Sequence, residues 1–255
     1  MLLAIAFVAF AVLSFTGPHT LLGHELKDGG FAETLAGKAA DQAPTAQQIK
    51  GAAQQVAQAQ TINAQVDSTA KTILFIGDSM LEGLSPRLAA YADRNGHTLY
   101  TVMWYSSTSE VWGRSGKLAS YIQRLHPDYI FICLGANELF VKDIAKKRDK
   151  YVKAMLSEIG SIPYVWIGPP NWKADTGIND LIAANAAPGS FFVSNGMHFD
   201  RSSDGAHPTR SSAIQWMDSV ARWMPLHAAH PIMMDRPDRS TSRPKRIFVH
   251  QPDEK

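Results

Sequence analysis

Cysteine is almost absent: Cys133 is the single one among 255 residues. An intramolecular disulfide is therefore excluded. No Cys/His cluster has the spacing of a zinc site either. Cys133 lies in an apolar run at 129–134 that reads as a buried strand, where a free cysteine serves as a small hydrophobe. An excess of charge of one sign is also missing. The 25 Lys and Arg nearly balance the 23 Asp and Glu, for a formal net charge of +2. No basic stripe with interleaved aromatics appears, so the sequence carries no nucleic-acid signature. Long apolar runs are confined to the N-terminus. What is present, 45% hydrophobic residues, suits one globular domain with appendages.

From Met1 to Phe15 the chain is apolar except for Ser14, and Thr16, Gly17 and Pro18 break the run. About fifteen apolar residues is short for a spanning helix and right for the core of an export signal. No Lys or Arg precedes the run, and no clear A-x-A cleavage site follows it. Extension through Leu21 and Leu22 makes a marginal membrane anchor. Residues 1–23 thus read as a signal peptide or a retained N-terminal anchor, with export expected in both cases. The third alternative, a buried core helix, fits a terminal run that is apolar all round less well.

Residues 24–70 are rich in Ala and Gln. Helix propensity is good there, but apolar side chains larger than Ala are few, so a partly helical spacer is expected. The folded domain is expected at 71–226. Strands are predicted at 72–76, 99–104, 129–134, 163–167 and 191–193. Helices are predicted at 81–95, 117–125, 141–159, 176–186 and 209–223. Pro86 falls in the first turns of its helix, where proline is tolerated. Strands alternating with helices argue for a parallel sheet covered on both faces, with the ligand site beyond the carboxyl ends of the strands. Residues 227–255 hold scattered Pro, Arg and Asp and are expected to form a flexible tail. Within it, Arg243, Lys245 and Arg246 make a small basic cluster, a solvated feature or a contact for an anionic surface.

Two short segments carry chemistry. Gly77-Asp78-Ser79 follows the first strand, and Asp204 and His207 lie three residues apart about one domain later. A serine hydroxyl is a weak nucleophile until a base comes within hydrogen-bond reach. The base in turn needs a carboxylate to fix its tautomer and stabilise its protonated form. Ser79, His207 and Asp204 can supply these parts. Taken singly, a serine after a strand is a helix cap and Asp-x-x-His is a capped loop. Their joint placement favours nucleophilic acyl transfer. His198 has no carboxylate at metal spacing and reads as a loop histidine. No metal or cofactor is called for.

Gly77-Asp78-Ser79-Met80, Gly135-Ala136-Asn137-Glu138 and Asp204-Gly205-Ala206-His207 together resemble the three motifs of the SGNH hydrolases, the GDSL esterase/lipase superfamily. Glu138 stands where that family usually has Asp. The resemblance covers about residues 72–223. It implies a flavodoxin-like three-layer α/β/α sandwich with a central parallel sheet of about five strands. It also implies Ser79 as nucleophile, His207 as base and Asp204 as its orienter. An oxyanion needs preorganised donors. The Ser79 backbone N–H and the Asn137 amide are two. The family's third donor is a backbone N–H, usually of a glycine after the second strand. Here that region holds no glycine before Gly113, so Ser109 is the leading position, with Ser107 and Gly113 as alternatives. Asp78, Trp112, Arg114 and Trp172 are the substrate-contact candidates, since tryptophan faces and arginine forks suit sugars and their substituents. Ordinary rim packing explains the last three equally well.

No extended apolar lid separates the motifs, which favours a small acyl group such as acetyl. With the N-terminal run, this points to an extracytoplasmic esterase removing O-acetyl groups from a carbohydrate, an exopolysaccharide or peptidoglycan. The expected partners are the acetylated carbohydrate, polysaccharide synthesis or export machinery, and the membrane if the N-terminus is uncleaved; no nucleic acid is expected. An O-acetyltransferase would use the same triad. A lysophospholipase or thioesterase, or a non-catalytic scaffold of a polysaccharide-export system, are the readings from other classes.

Overall fold

The computed structural model describes residues 64–252 and, in a separate N-terminal unit, two short strands, Thr20–Leu21 and His24–Glu25, which pair antiparallel. Apart from these two strands, the signal or anchor segment (1–23) and most of the Ala/Gln-rich spacer lie outside the described residues. Among the described residues no helix is long and apolar enough to cross a membrane.

The main unit alternates strands and helices. In chain order it runs β1 (Thr72–Gly77), α1 (Leu81–Asn95), β2 (Thr98–Trp104), α2 (Ser109–Ser115), α3 (Lys117–Leu125), β3 (Tyr129–Cys133) and α4 (Ile144–Ile159). It continues with β4 (Tyr164–Ile167), α5 (Ile178–Asn185), β5 (Phe191–Phe192), α6 (Arg210–His227) and β6 (Ile247–His250). The six strands form one all-parallel sheet in the order β5-β4-β3-β1-β2-β6. The architecture is a three-layer α/β sandwich.

Burial on both faces explains the nearly uninterrupted apolar strands, since a parallel sheet covered by helices shows no polar side. Alternate residues point to opposite layers. Phe75, Phe131 and Val165 pack with α1 and α6 through Leu84, Leu88, Trp216 and Val220. Leu74, Ile76, Ile130, Ile132 and Trp166 pack with Trp112, Leu118, Val152 and Ile182 on the other face. Cys133 is buried as expected, and burial pushes its thiol well above the usual range.

The chain leaves β1 for β2 on one side and then crosses to β3 on the other. The sheet order therefore reverses at the β1/β3 pair, where open α/β sheets form a crevice. At this point the backbones are crowded. A Cβ on Gly77 would lie 2.2 Å from the Cys133 carbonyl oxygen, so only glycine lets the chain turn here.

The sheet has six strands where about five were expected, and the extra one comes from the segment expected to be a flexible tail. Ile247–His250 pairs with Thr101–Trp104 along the sheet edge. Upstream, the buried Arg87 guanidinium donates to Asp218 Oδ1 at 2.6 Å and to the carbonyls of Arg239 and Ser240 at 2.8 and 3.0 Å. Tail composition concealed this because the few large apolar side chains that pack into the cores, Ile232 and Met234 at one end and Phe248 at the other, are far apart in sequence, and backbone acceptors fasten the stretch between them. The spacer also ends earlier than expected. Asp67 bridges Ile232, and its N–H donates to the Pro231 carbonyl at 2.8 Å.

Candidate active site

Ser79 lies just beyond the carboxyl end of β1, in the turn into α1. The Asp78 N–H donates to the Cys133 carbonyl at 3.3 Å, and the Glu82 N–H donates to the Ser79 carbonyl at 3.1 Å. These bonds hold the nucleophile turn against β3 and start the helix. His207 arrives from the opposite end of the chain, on the loop that precedes α6. That loop closes on itself: the Ser202 N–H donates to the His207 carbonyl at 2.8 Å, and Arg201 Nη1 donates to the Ala206 carbonyl at 2.7 Å.

His207 Nε2 lies 2.8 Å from Ser79 Oγ, and His207 Nδ1 lies 2.6 Å from Asp204 Oδ2. The three side chains thus form one hydrogen-bonded chain. Asp204 Oδ1 also accepts the N–H groups of Ala206 and His207 at 2.8 and 3.0 Å. Those backbone bonds, joined by the His207 side chain, hold its carboxyl down at about 2. An ionised Asp204 accepts only, so the His207 proton belongs on Nδ1 and Nε2 is free to accept from the serine hydroxyl. This is the arrangement that general-base activation requires.

Asn137 sits in a short 3-10 turn, Ala136–Glu138, after β3. Its Nδ2 donates to the Ser107 carbonyl at 3.0 Å and makes a long 3.4 Å contact with Asp78 Oδ2. The first bond orients the amide, and the weak second one leaves a hydrogen available for a developing oxyanion.

The structure engages the leading third-donor candidates in other bonds. The Ser109 N–H, the leading position from sequence, donates to the buried Glu138 carboxylate at 2.9 Å. The Ser107 N–H donates to the Trp104 carbonyl at 3.1 Å. The Gly113 position faces Tyr151. Between them, Ser106 is the third residue of the turn closed by that Ser107 bond, with φ at 55°, a region glycine favours. Its N–H has no partner among the described residues. A serine in a glycine-like conformation thus occupies the place where a glycine was looked for, and residue type alone could not reveal it.

None of the four substrate-contact candidates borders the open space beside Ser79 and His207. Asp78 is fully buried; its Oδ1 accepts the Met80 N–H at 2.9 Å, and burial pushes its carboxyl up to about 7. Trp112 is fully buried too. It packs edge-on against Trp104 at 5.6 Å, with Nε1 donating to Ser107 Oγ at 3.0 Å. Arg114 is exposed near the end of α2, in an ion pair with Glu110 at 3.3 Å. Both were expected in a loop, but Thr108 caps a helix there, accepting from the Val111 N–H. Trp172 is half-buried, and its Nε1 donates to the Ala136 carbonyl at 3.0 Å, bracing the Asn137 turn. His198 is an exposed loop residue.

Glu138, which sequence reading set aside as a minor departure, is fully buried. It accepts from Ser109 N–H and Oγ and from Arg148 Nε, at 2.9, 2.8 and 2.8 Å. It ties the Asn137 turn to the N-terminus of α2. A cleft of about 600 Å³ opens beside Ser79 and His207, bordered by Glu82, Arg210, Thr241 and Arg243. Thr241 and Arg243 were not placed at the site because pairing Ser79 with the tail is a tertiary event, and Arg210, three residues after His207, was not singled out.

No protein-family model matches the sequence, and no curated protein matches it. Solved structures do. The psychrotrophic esterase EstA from Pseudoalteromonas sp. is 18% identical with a TM-score of 0.43, over 60% of this chain and 97% of that one. TesA is 18% identical with a TM-score of 0.46, over 58% and 95%. A two-domain esterase, CEX, active on acetylated mannans, is 12% identical with a TM-score of 0.48, over 66% and 50%. Identity this low assigns no activity to this chain.

Proposed function

We propose that this chain is a serine esterase of the SGNH type that removes O-acetyl groups from a carbohydrate outside the cytoplasm. The observation that carries the reading is the unbroken hydrogen-bond chain from Ser79 Oγ through His207 to Asp204. Ser79 Oγ attacks the ester carbonyl while His207 Nε2 takes its proton. The carbonyl oxygen, now negative, is met by the Asn137 amide and by the N–H groups of Ser79 and Ser106. His207 then hands the proton to the departing alcohol oxygen, leaving an acetyl-Ser79 ester. Water, deprotonated by the same nitrogen, attacks that ester and releases acetate and free serine.

The small acyl group rests on the sequence, which holds no extended apolar lid between the motifs; the cleft, where Glu82, Ser202, Arg210, Thr241 and Arg243 stand beside Met80, Pro86 and Ala213, bears on the alcohol portion. A polar border suits a sugar. The extracytoplasmic setting rests on the apolar N-terminal run alone.

The test is hydrolysis of chromogenic acetate, butyrate and octanoate esters by the full chain and by Ser79→Ala. Turnover that is lost in the variant and falls with chain length supports the reading. Turnover rising with chain length would replace it with a lipase or thioesterase. A folded protein without turnover would defeat it.

A further inference from the structure

Of the basic cluster in the tail, two members are occupied. Lys245 Nζ lies 3.4 Å from Asp93 Oδ1, and the Arg246 guanidinium sits over the Tyr100 ring at 5.5 Å. Arg243 has no ion pair among the described residues, and it borders the cleft that holds Ser79 and His207. Arg210, at the start of α6, borders the same cleft and spends one nitrogen on Thr241 Oγ1 at 2.8 Å. The wall that carries Arg243 is fixed. The Ser242 N–H donates to the Pro86 carbonyl at 2.9 Å, and Arg87 holds the two residues before Thr241 by their carbonyls. Among the described residues that border the cleft, the acidic side chain is Glu82, whose carboxylate accepts the Tyr105 hydroxyl, and Asp204 is engaged by His207.

The stereochemistry of acyl transfer says which part of the substrate meets these cations. The carbonyl oxygen turns toward Asn137, and the alcohol oxygen must come within reach of His207 Nε2 to receive its proton. The alcohol portion, the sugar, therefore fills the cleft on the His207 side, where Arg210 and Arg243 stand. We propose that the substrate is an acidic glycan, with a sugar carboxylate held by Arg243 and Arg210. This rests on the esterase reading above. Guanidinium forks match carboxylates through paired N–H donors, which a neutral sugar does not reward.

The experiment measures acetate release by the full chain from O-acetylated polygalacturonate and from O-acetylated xylan, an acidic and a neutral polymer. Wild type should prefer the acidic one. Arg243→Ala should lower the acidic-to-neutral ratio of kcat/KM about fivefold, the scale of a partly screened ion pair. Arg243→Lys should retain part of it. Lys153→Ala, a basic residue paired with Asp149 on α4, should leave both rates as in wild type. A ratio unmoved by Arg243→Ala overturns the inference while leaving the esterase reading standing. If wild type hydrolyses neither polymer nor a chromogenic acetate, the esterase reading fails, and the anion site is judged by binding. Unacetylated oligogalacturonate should then still bind the Ser79→Ala chain in calorimetry and lose that binding on adding Arg243→Ala. No binding to the Ser79→Ala chain overturns the site as well.

Discussion

Truncating Glu138 to alanine removes the acceptor of three donors at once. Ser109 N–H and Oγ lose it entirely, while Arg148 keeps Glu110 Oε2 at 2.6 Å. Each neutral buried donor left unpaired costs about 1–3 kcal/mol. Against this stands relief of the carboxylate, whose burial raises its pKa and so opposes its charged form. The expected net loss is about 2–4 kcal/mol. For a domain of about 150–250 residues, each kcal/mol moves Tm by about 2–4 °C, so the shift should be roughly 4–16 °C. Catalysis should suffer as well, because Glu138 fastens the α2 N-terminus, and the turn before it carries the Ser106 N–H. Thermal denaturation and kcat on a chromogenic acetate read the two effects. A Tm within about 2 °C of wild type and an unchanged kcat would refute the idea that Glu138 holds these two loops together.

Asp204→Asn should keep an acceptor for the Ala206 and His207 N–H groups but place an amide against His207 Nδ1. The wrong tautomer then faces Ser79, and kcat should fall roughly 10⁴-fold with the circular dichroism spectrum unchanged; a loss under about tenfold would count against Asp204 as orienter. Trp112→Ala should cost about 3–5 kcal/mol in urea denaturation, as for a buried aromatic, while KM of the folded protein stays near wild type; a KM effect without a stability loss would restore Trp112 as a substrate contact. Asp78 binds its proton up to about pH 7 when folded but only to near 3.8 in the ordinary carboxyl. The folded state therefore holds the extra proton, and this contribution, full below about pH 3.8, is lost as pH rises through about 7. Asp78→Asn cannot ionise, so from about pH 4 to 8 its urea midpoint should gain on that of wild type; parallel curves would show that Asp78 ionises normally.

Period and punctuation within single segments determined the alternation of strands and helices, the parallel sheet, and the strand-end placement of Ser79 and Asn137. The Asp204–His207 pair was equally legible, because its two members are three residues apart and one tight loop brings them together. Such features depend on short-range geometry that a few neighbouring residues enforce. Contacts between distant segments were not legible. The meeting of Ser79 with His207 across 128 positions is the exception, expected from the joint presence of the two segments and the family resemblance. The Ser109 N–H is claimed by a carboxylate 29 residues away. The tail becomes a sixth strand because the β2 edge offers backbone groups to it and Phe248 packs on Tyr121. Which N–H remains free for the oxyanion, which tryptophan is core, and which arginine faces the cleft follow from packing between layers, and local sequence does not encode that packing.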